Sequence, residues 1–167
     1  MAKSIKLKDN TYWNTKSIVH NKTTLDTILD LRGSTAVFYK NDNQTLSKQT
    51  ASILKFNRTS YVDNGCFSLN NDGTIKVLKD ISRVLVTTNC RINGLGIIYI
   101  NGSNGGFNGD IMGNSSFALQ EYMYNTAGVI EVSKNSTISI KFYPTSNETV
   151  AQGYDRNWFS VTLTVLK

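Results

Sequence analysis

One histidine, one proline and two cysteines are the whole supply of three residue types that often mark catalytic, kinked or cross-linked chains. Each scarcity closes a class. A triad, a metal cluster or an imidazole relay would have to run through His20, flanked by Val19 and Asn21, so its expected role is a structural hydrogen bond. Cys66 and Cys90 lie in strand-like text without the close Cys or His neighbours of a zinc site and without a base partner, and they read as buried reduced thiols. No Gly-x-Ser-x-Gly elbow occurs, and no Gly-Lys-Ser/Thr follows the Gly-rich stretch Asn101 to Gly113, which is expected to be a loop between strands. The expectation is therefore no catalytic residue, no metal and no cofactor. No apolar run approaches the ~20 residues of a spanning helix. Met1 to Asn10 lack the apolar core of a secretory signal, so a product of the cytoplasm without membrane insertion is expected.

What is present is the composition of a packed chain: 40% hydrophobic and 18% charged residues over 167 positions, enough for one domain and a small appendage. The net charge of +6 would suit a polyanion if it were spread over the fold. Residues 1–60 instead hold ten basic and four acidic side chains, whereas residues 61–167 hold eight of each. A domain that neutralised phosphates would carry the excess on its folded surface, so nucleic acid is not an expected partner.

Ile5, Lys6, Leu7 and Lys8 alternate with a period of two and predict a short strand. From Thr23 the spacing becomes helical: Leu25, Ile28 and Leu29 share a face, Thr23 and Asp26 resemble a capping box, and Gly33 is a stop signal. That predicts a helix over 24–32. Nine residues do not hold a helix in water by themselves, so its apolar stripe must dock. Beyond Gly33 the text turns into short strands separated by Asn64-Gly65, Asp72-Gly73, Asn93-Gly94 and the Asn101 to Gly113 stretch. Strands are predicted at 35–39, 51–57, 65–69, 74–78, 82–92, 95–100, 117–124, 128–132, 137–143 and 158–166. The class is all-β, a jelly-roll sandwich preceded by a short strand and helix.

The last predicted strand divides its faces clearly. Phe159, Val161, Leu163 and Val165 turn to the core and Trp158, Ser160, Thr162 and Thr164 away from it. Ile138, Ile140 and Phe142 repeat the pattern on what is expected to be its partner strand. Leu95 to Ile100 differs, because Leu95, Ile97 and Tyr99 on one side and Ile98 and Ile100 on the other are all apolar. Cover on both sides is expected there, which in a two-sheet sandwich implies a neighbouring subunit. Tyr122 and Tyr124 offer a second interface patch.

Two stretches carry a family likeness. "SIKLKDNTYWNTKSIVHNKTTLDTILD", Ser4 to Asp30, resembles the N-terminal segment of many tail and baseplate proteins of phages infecting Gram-positive bacteria. "CFSLNNDGTIKVLKDISRVLVTTNCRI", "VSKNSTISIKFY" and "WFSVTLTVLK", within about Ala51 to Lys167, are similar to the jelly roll of tumour necrosis factor and the complement globular head. The chain departs from that pattern at Asn135-Ser136, where a Gly-Asp pair is usual, and after Asp80, where a Gly is usual. The resemblance implies a homotrimer about a three-fold axis, carried on a virion and joined to other tail or baseplate proteins through its N-terminal segment. It divides the chain into an anchor (1–32), a linker or first strand (33–50) and a head (51–167).

Binding is expected on the longest loops, Asn101 to Asn114 and Tyr143 to Trp158, since long loops in compact domains are usually functional. Asn104, Phe107, Asn108, Tyr143, Tyr154, Asp155 and Trp158 supply stacking faces beside hydrogen-bonding groups, which suits a cell-surface saccharide. A receptor-binding virion protein is the resulting expectation. A purely architectural virion subunit is the alternative, and the carboxylates Asp110, Glu121, Glu131, Glu148 and Asp155 keep a small wall depolymerase as the remotest one.

Overall fold

The computed structural model describes residues 4–6, 12–14, 31–101, 114–118, 121–145, 149–153 and 156–167, with side chains over 31–100, 123–145, 149–153 and 156–167. Strands β1 (Ser4–Lys6) and β2 (Tyr12–Asn14) pair antiparallel, Ile5 opposite Trp13. The alternation at Ile5 to Lys8 foretold the first of them. The predicted helix over 24–32 lies outside the described residues except for its last two. Leu31 packs against the core, and Gly33, at φ +77°, turns the chain so that its N–H donates to the Val165 carbonyl at 2.9 Å.

The remaining strands form a sandwich. One sheet has the order β11 (Asn114–Ala118), β12 (Glu121–Glu131), β9 (Arg83–Asn93), β15 (Phe159–Val165), β3 (Thr35–Tyr39), β6 (Arg58–Val62); β14 (Thr149–Ala151) pairs with both β9 and β4 (Gln44–Leu46) and completes eight strands. The other has the order β10 (Gly96–Asn101), β13 (Thr137–Pro144), β8 (Ile75–Val77), β7 (Phe67–Leu69), with β5 (Ser52–Ile53) also on β13. Thr35–Tyr39 is thus hydrogen bonded between β15 and β6, inside the sandwich, so the head begins well before residue 51.

Period-two burial holds the two sheets together. Val84, Val86, Thr88, Cys90 and Ile92 of β9 and Phe159, Val161, Leu163 and Val165 of β15 face Ile98 and Ile100 of β10 and Ile138, Ile140 and Phe142 of β13. Phe56 and Phe159 meet at 5.7 Å between ring centroids. The inward faces of β13 and β15 are as predicted, yet the two strands are not partners: β13 lies in the opposite sheet, and β15 pairs with β9 and β3. Matching alternation reports which side of a strand is buried, not which strand lies beside it. The segments 117–124 and 128–132 are also not two strands, because β12 runs unbroken from Glu121 to Glu131 in ten register pairs with β9. Thr126, Ala127 and Gly128 look like a break in the sequence, but the β9 ladder holds them extended.

Four described strands went unpredicted. Tyr12–Asn14, Gln44–Leu46, Arg58–Val62 and Thr149–Ala151 are short or polar, and each exists through its neighbour in the sheet. Turn chemistry was read more reliably. Asp72 caps its own turn, accepting from the Thr74 N–H at 2.9 Å and the Thr74 hydroxyl at 2.6 Å. These bonds hold the Asp72 carboxyl below its ordinary range. Asn135 adopts φ +68° and so makes the left-handed turn that a glycine commonly makes at this hairpin.

Candidate functional site

The predicted residues fall into five places. Asn104, Phe107, Asn108, Tyr154 and Asp155 lie outside the described residues, as does His20. Ile98, Ile100 and Tyr124, predicted for a subunit interface, are instead buried in the protomer's own core at 0%, 1% and 3% exposure. Tyr124 reaches across the sandwich. Its ring meets Phe142 edge-on at 4.9 Å, and its hydroxyl donates to the Gly94 carbonyl at 2.9 Å and accepts from the Gly96 N–H at 3.1 Å. A buried phenol with both hydrogen bonds satisfied has its structural role already. Gly96 is pressed against the same ring, since a Cβ there would fall 2.4 Å from the Phe142 ring and from the Tyr143 carbonyl. Tyr122 stands at the register position opposite Ile92.

Leu95, Ile97 and Tyr99 do point outward, on the five-stranded sheet, and the register brings Tyr143 to them. Ile97 pairs directly with Tyr143, Tyr99 with Lys141, and Lys141 in turn with Ile53. Two groups that the sequence assigned to different tasks thus share one surface. The segment from Tyr143 to Trp158 is not one long loop either: Tyr143 belongs to β13, and Thr149–Ala151 is tied into the other sheet by β4 and β9.

Trp158, 47% exposed, sits on the opposite side of the molecule from Tyr143, at the end of the eight-stranded sheet. Arg91 lies with its guanidinium 5.4 Å from the Trp158 ring centroid, and the Arg91 N–H donates to the Trp158 carbonyl at 3.0 Å. Nothing local in the chain foretells that pairing, because Arg91 and Trp158 meet only through the β9–β15 ladder.

The outer face of the eight-stranded sheet is broad and uncharged across its middle. One row of register partners runs Val129, Leu85, Thr164, Thr35; the next runs Ala127, Thr87, Thr162, Val37, Tyr61. Val129 and Tyr61 are 44% and 45% exposed, high for large apolar side chains on a sheet. Charge stays at the margins, with Arg83 opposite Glu131 at one end, Arg58 and Arg91 at the other, and Asp63 beside Thr35 at the β6 edge. Asp63 accepts from the Thr35 N–H at 2.9 Å and the Thr35 hydroxyl at 2.8 Å, which holds its carboxyl below the usual range.

Both thiols are buried and unpaired, and burial pushes them up in pKa, Cys90 far more than Cys66. Among the described residues no three His, Cys, Asp or Glu side chains cluster as a metal site.

No family model matches the chain, and no curated protein matches it in sequence. Solved structures do match in shape. The tumour necrosis factor Eiger of S. frugiperda superposes at a TM-score of 0.57 with 13% identity, over 81% of this chain and 94% of that one. Murine APRIL gives a TM-score of 0.57 with 11% identity over 80% and 98%. The globular domain of the zebrafish complement 1qA protein gives 0.53 with 10% identity over 80% and 96%. At such identities the likeness establishes the fold, a jelly roll of the tumour necrosis factor and complement type.

Proposed function

We propose that the chain is a non-catalytic, homotrimeric receptor-binding head of a phage tail or baseplate, attached to the virion by its N-terminal segment and directed at a saccharide of the host surface. The observation that carries this is the outer face of the eight-stranded sheet. A five-strand row of small and apolar side chains, free of charge through its centre, suits burial against copies of itself, and closed rings of identical subunits are the common outcome of such faces. The assembly face is thereby moved from the Leu95 to Ile100 strand to the sheet of Val129, Leu85, Val37 and Tyr61. The virion role is supported by the segment Ser4 to Asp30, whose text resembles phage tail and baseplate anchors.

Light scattering tests the assembly. The full chain is expected at three times its 18.6 kDa mass at micromolar concentration, and Val129→Lys with Val37→Glu is expected to leave a folded monomer. A monomeric wild type would refute the reading. Adsorption of the trimer to purified Gram-positive cell walls separates the receptor-binding role from an architectural one, for which a trimer that adsorbs to none is the expected result.

A further inference from the structure

We propose that the outer face of the five-stranded sheet binds an anionic saccharide chain, with Lys141 and Lys76 as the charge contacts and Tyr99 and Tyr143 as stacking surfaces. The inference rests on the assembly reading above, which occupies the other sheet and leaves this face outward. Tyr99 and Lys141 are direct cross-strand partners, and Tyr143 is the next outward residue of β13 after Lys141, opposite Ile97. The two tyrosines therefore stand diagonally on neighbouring strands, with Lys141 at the position adjacent to both. Further along β13, Thr137 lies opposite Lys76, and Lys76 opposite Ser68. All of these side chains are partly exposed.

Charge selects the occupant. Strands β5, β7, β8, β10 and β13 contain two lysines and no carboxylate. Neither Lys141 nor Lys76 meets an acidic partner among the described residues, whereas Lys40 is paired with Asp42 and Lys134 lies 4.0 Å from Asp80. A strand rise of about 3.3 Å per residue, with a spacing of about 4.8 Å to the neighbouring strand, puts the Cα positions of the two lysines roughly 14 Å apart on the sheet. A single small anion cannot bridge that distance, but a linear chain with repeated charges meets both. Ser139 and Thr137 form a low hydroxylated floor between the lysines, and tyrosine rings offer the apolar faces on which sugar rings stack. An acidic peptide is taken up mainly by backbone pairing at a strand edge, and these side chains stand on a sheet face.

Affinity electrophoresis of the full chain tests this in gels holding hyaluronate, dextran phosphate, neutral dextran or poly-glutamate. Retardation by either anionic carbohydrate polymer and not by dextran is the expected result, and the polymer that retards identifies the anion as carboxylate or phosphate. Lys141→Gln and Tyr143→Ala are each expected to weaken it at least tenfold, with Lys141→Arg near wild type and Lys134→Gln unchanged. Lys141→Glu, a charge reversal at a solvent-facing position, answers the question if Tyr143→Ala does not fold. Unchanged retardation in Lys141→Glu, an equal loss in Lys134→Gln, or equal retardation by dextran or poly-glutamate would overturn the proposal. The mass of each sample is read in parallel. A trimer that ignores both anionic polymers refutes this site and leaves the assembly standing, while a monomer that binds them refutes the assembly and leaves this site.

Discussion

The two outer faces of the sandwich are built from the same strand chemistry and end up with opposite characters. On the eight-stranded sheet, outward positions are filled by Val129, Leu85, Val37, Tyr61 and threonines, with charge kept to the ends. On the five-stranded sheet, Lys141 and Lys76 stand mid-face beside Tyr99 and Tyr143. Burying an unpaired ammonium against a copy of itself is unfavourable, since desolvation is added to like-charge repulsion. Burying a threonine and valine surface is not. The contrast therefore assigns self-association to one face and an exposed binding surface to the other.

The severest way to break this comparison is to remove the core that both faces share. Phe142 is fully buried and touches Tyr124 of the opposite sheet. Phe142→Ala is expected to cost about 3–5 kcal/mol in chemical denaturation, with trimer mass and polymer retardation falling together. Loss of one without the other would mean that the faces do not share a single cooperative unit.

A milder variant sharpens the comparison by stabilising one sheet from within. The hydroxyls of Thr88 and Thr126, directly opposite each other on β9 and β12, are buried without a hydrogen-bond partner among the described residues. Replacing both by valine keeps the shape and removes two desolvated polar groups. The double variant is expected to gain about 1 kcal/mol and to melt roughly 2–4 °C higher, with both surface activities unchanged. A lower melting temperature would show that the pair is satisfied in solution.

The smallest expected effect is on acid stability and differs between the sheets only in the residue responsible. Asp63 at the eight-stranded edge and Asp72 in the β7–β8 turn both have folded-state values below 3.8 because each carboxylate accepts bonds from a threonine. As pH falls, the unfolded chain takes up these protons first, so their contribution is complete well above 3.8 and is lost as pH drops through the folded values. Asp63→Asn and Asp72→Asn should each flatten the acid limb of the melting-temperature profile, and two unaltered limbs would remove both carboxylates from the account.

Much of the candidate site was half legible. Tyr143, Tyr99 and Ile97 were all singled out from the sequence, but for two separate tasks, because nothing local says that residue 97 lies against residue 143. Lys141 carries no local signal, since it stands at an ordinary polar position of an alternating strand. Its meaning comes from Tyr99 opposite it and from the lack of acid on the neighbouring strands. Trp158 was grouped with Tyr143 by nearness in sequence, and the fold sends them to different sheets.

The sequence by itself determined the all-β class, the inward sets Phe159 to Val165 and Ile138 to Phe142, and the turns at Gly73, Gly94 and Asp72. These depend on side-chain alternation and on backbone preferences within a few residues. Only the tertiary structure decided that β13 leaves β15 for the opposite sheet, that Ile98, Ile100 and Tyr124 go inward while Ile97 and Tyr99 stay out, and that Arg91 meets Trp158. Strand pairing and register are set by contacts between residues tens of positions apart, and an alternating segment fits many partners equally well until the whole core selects one.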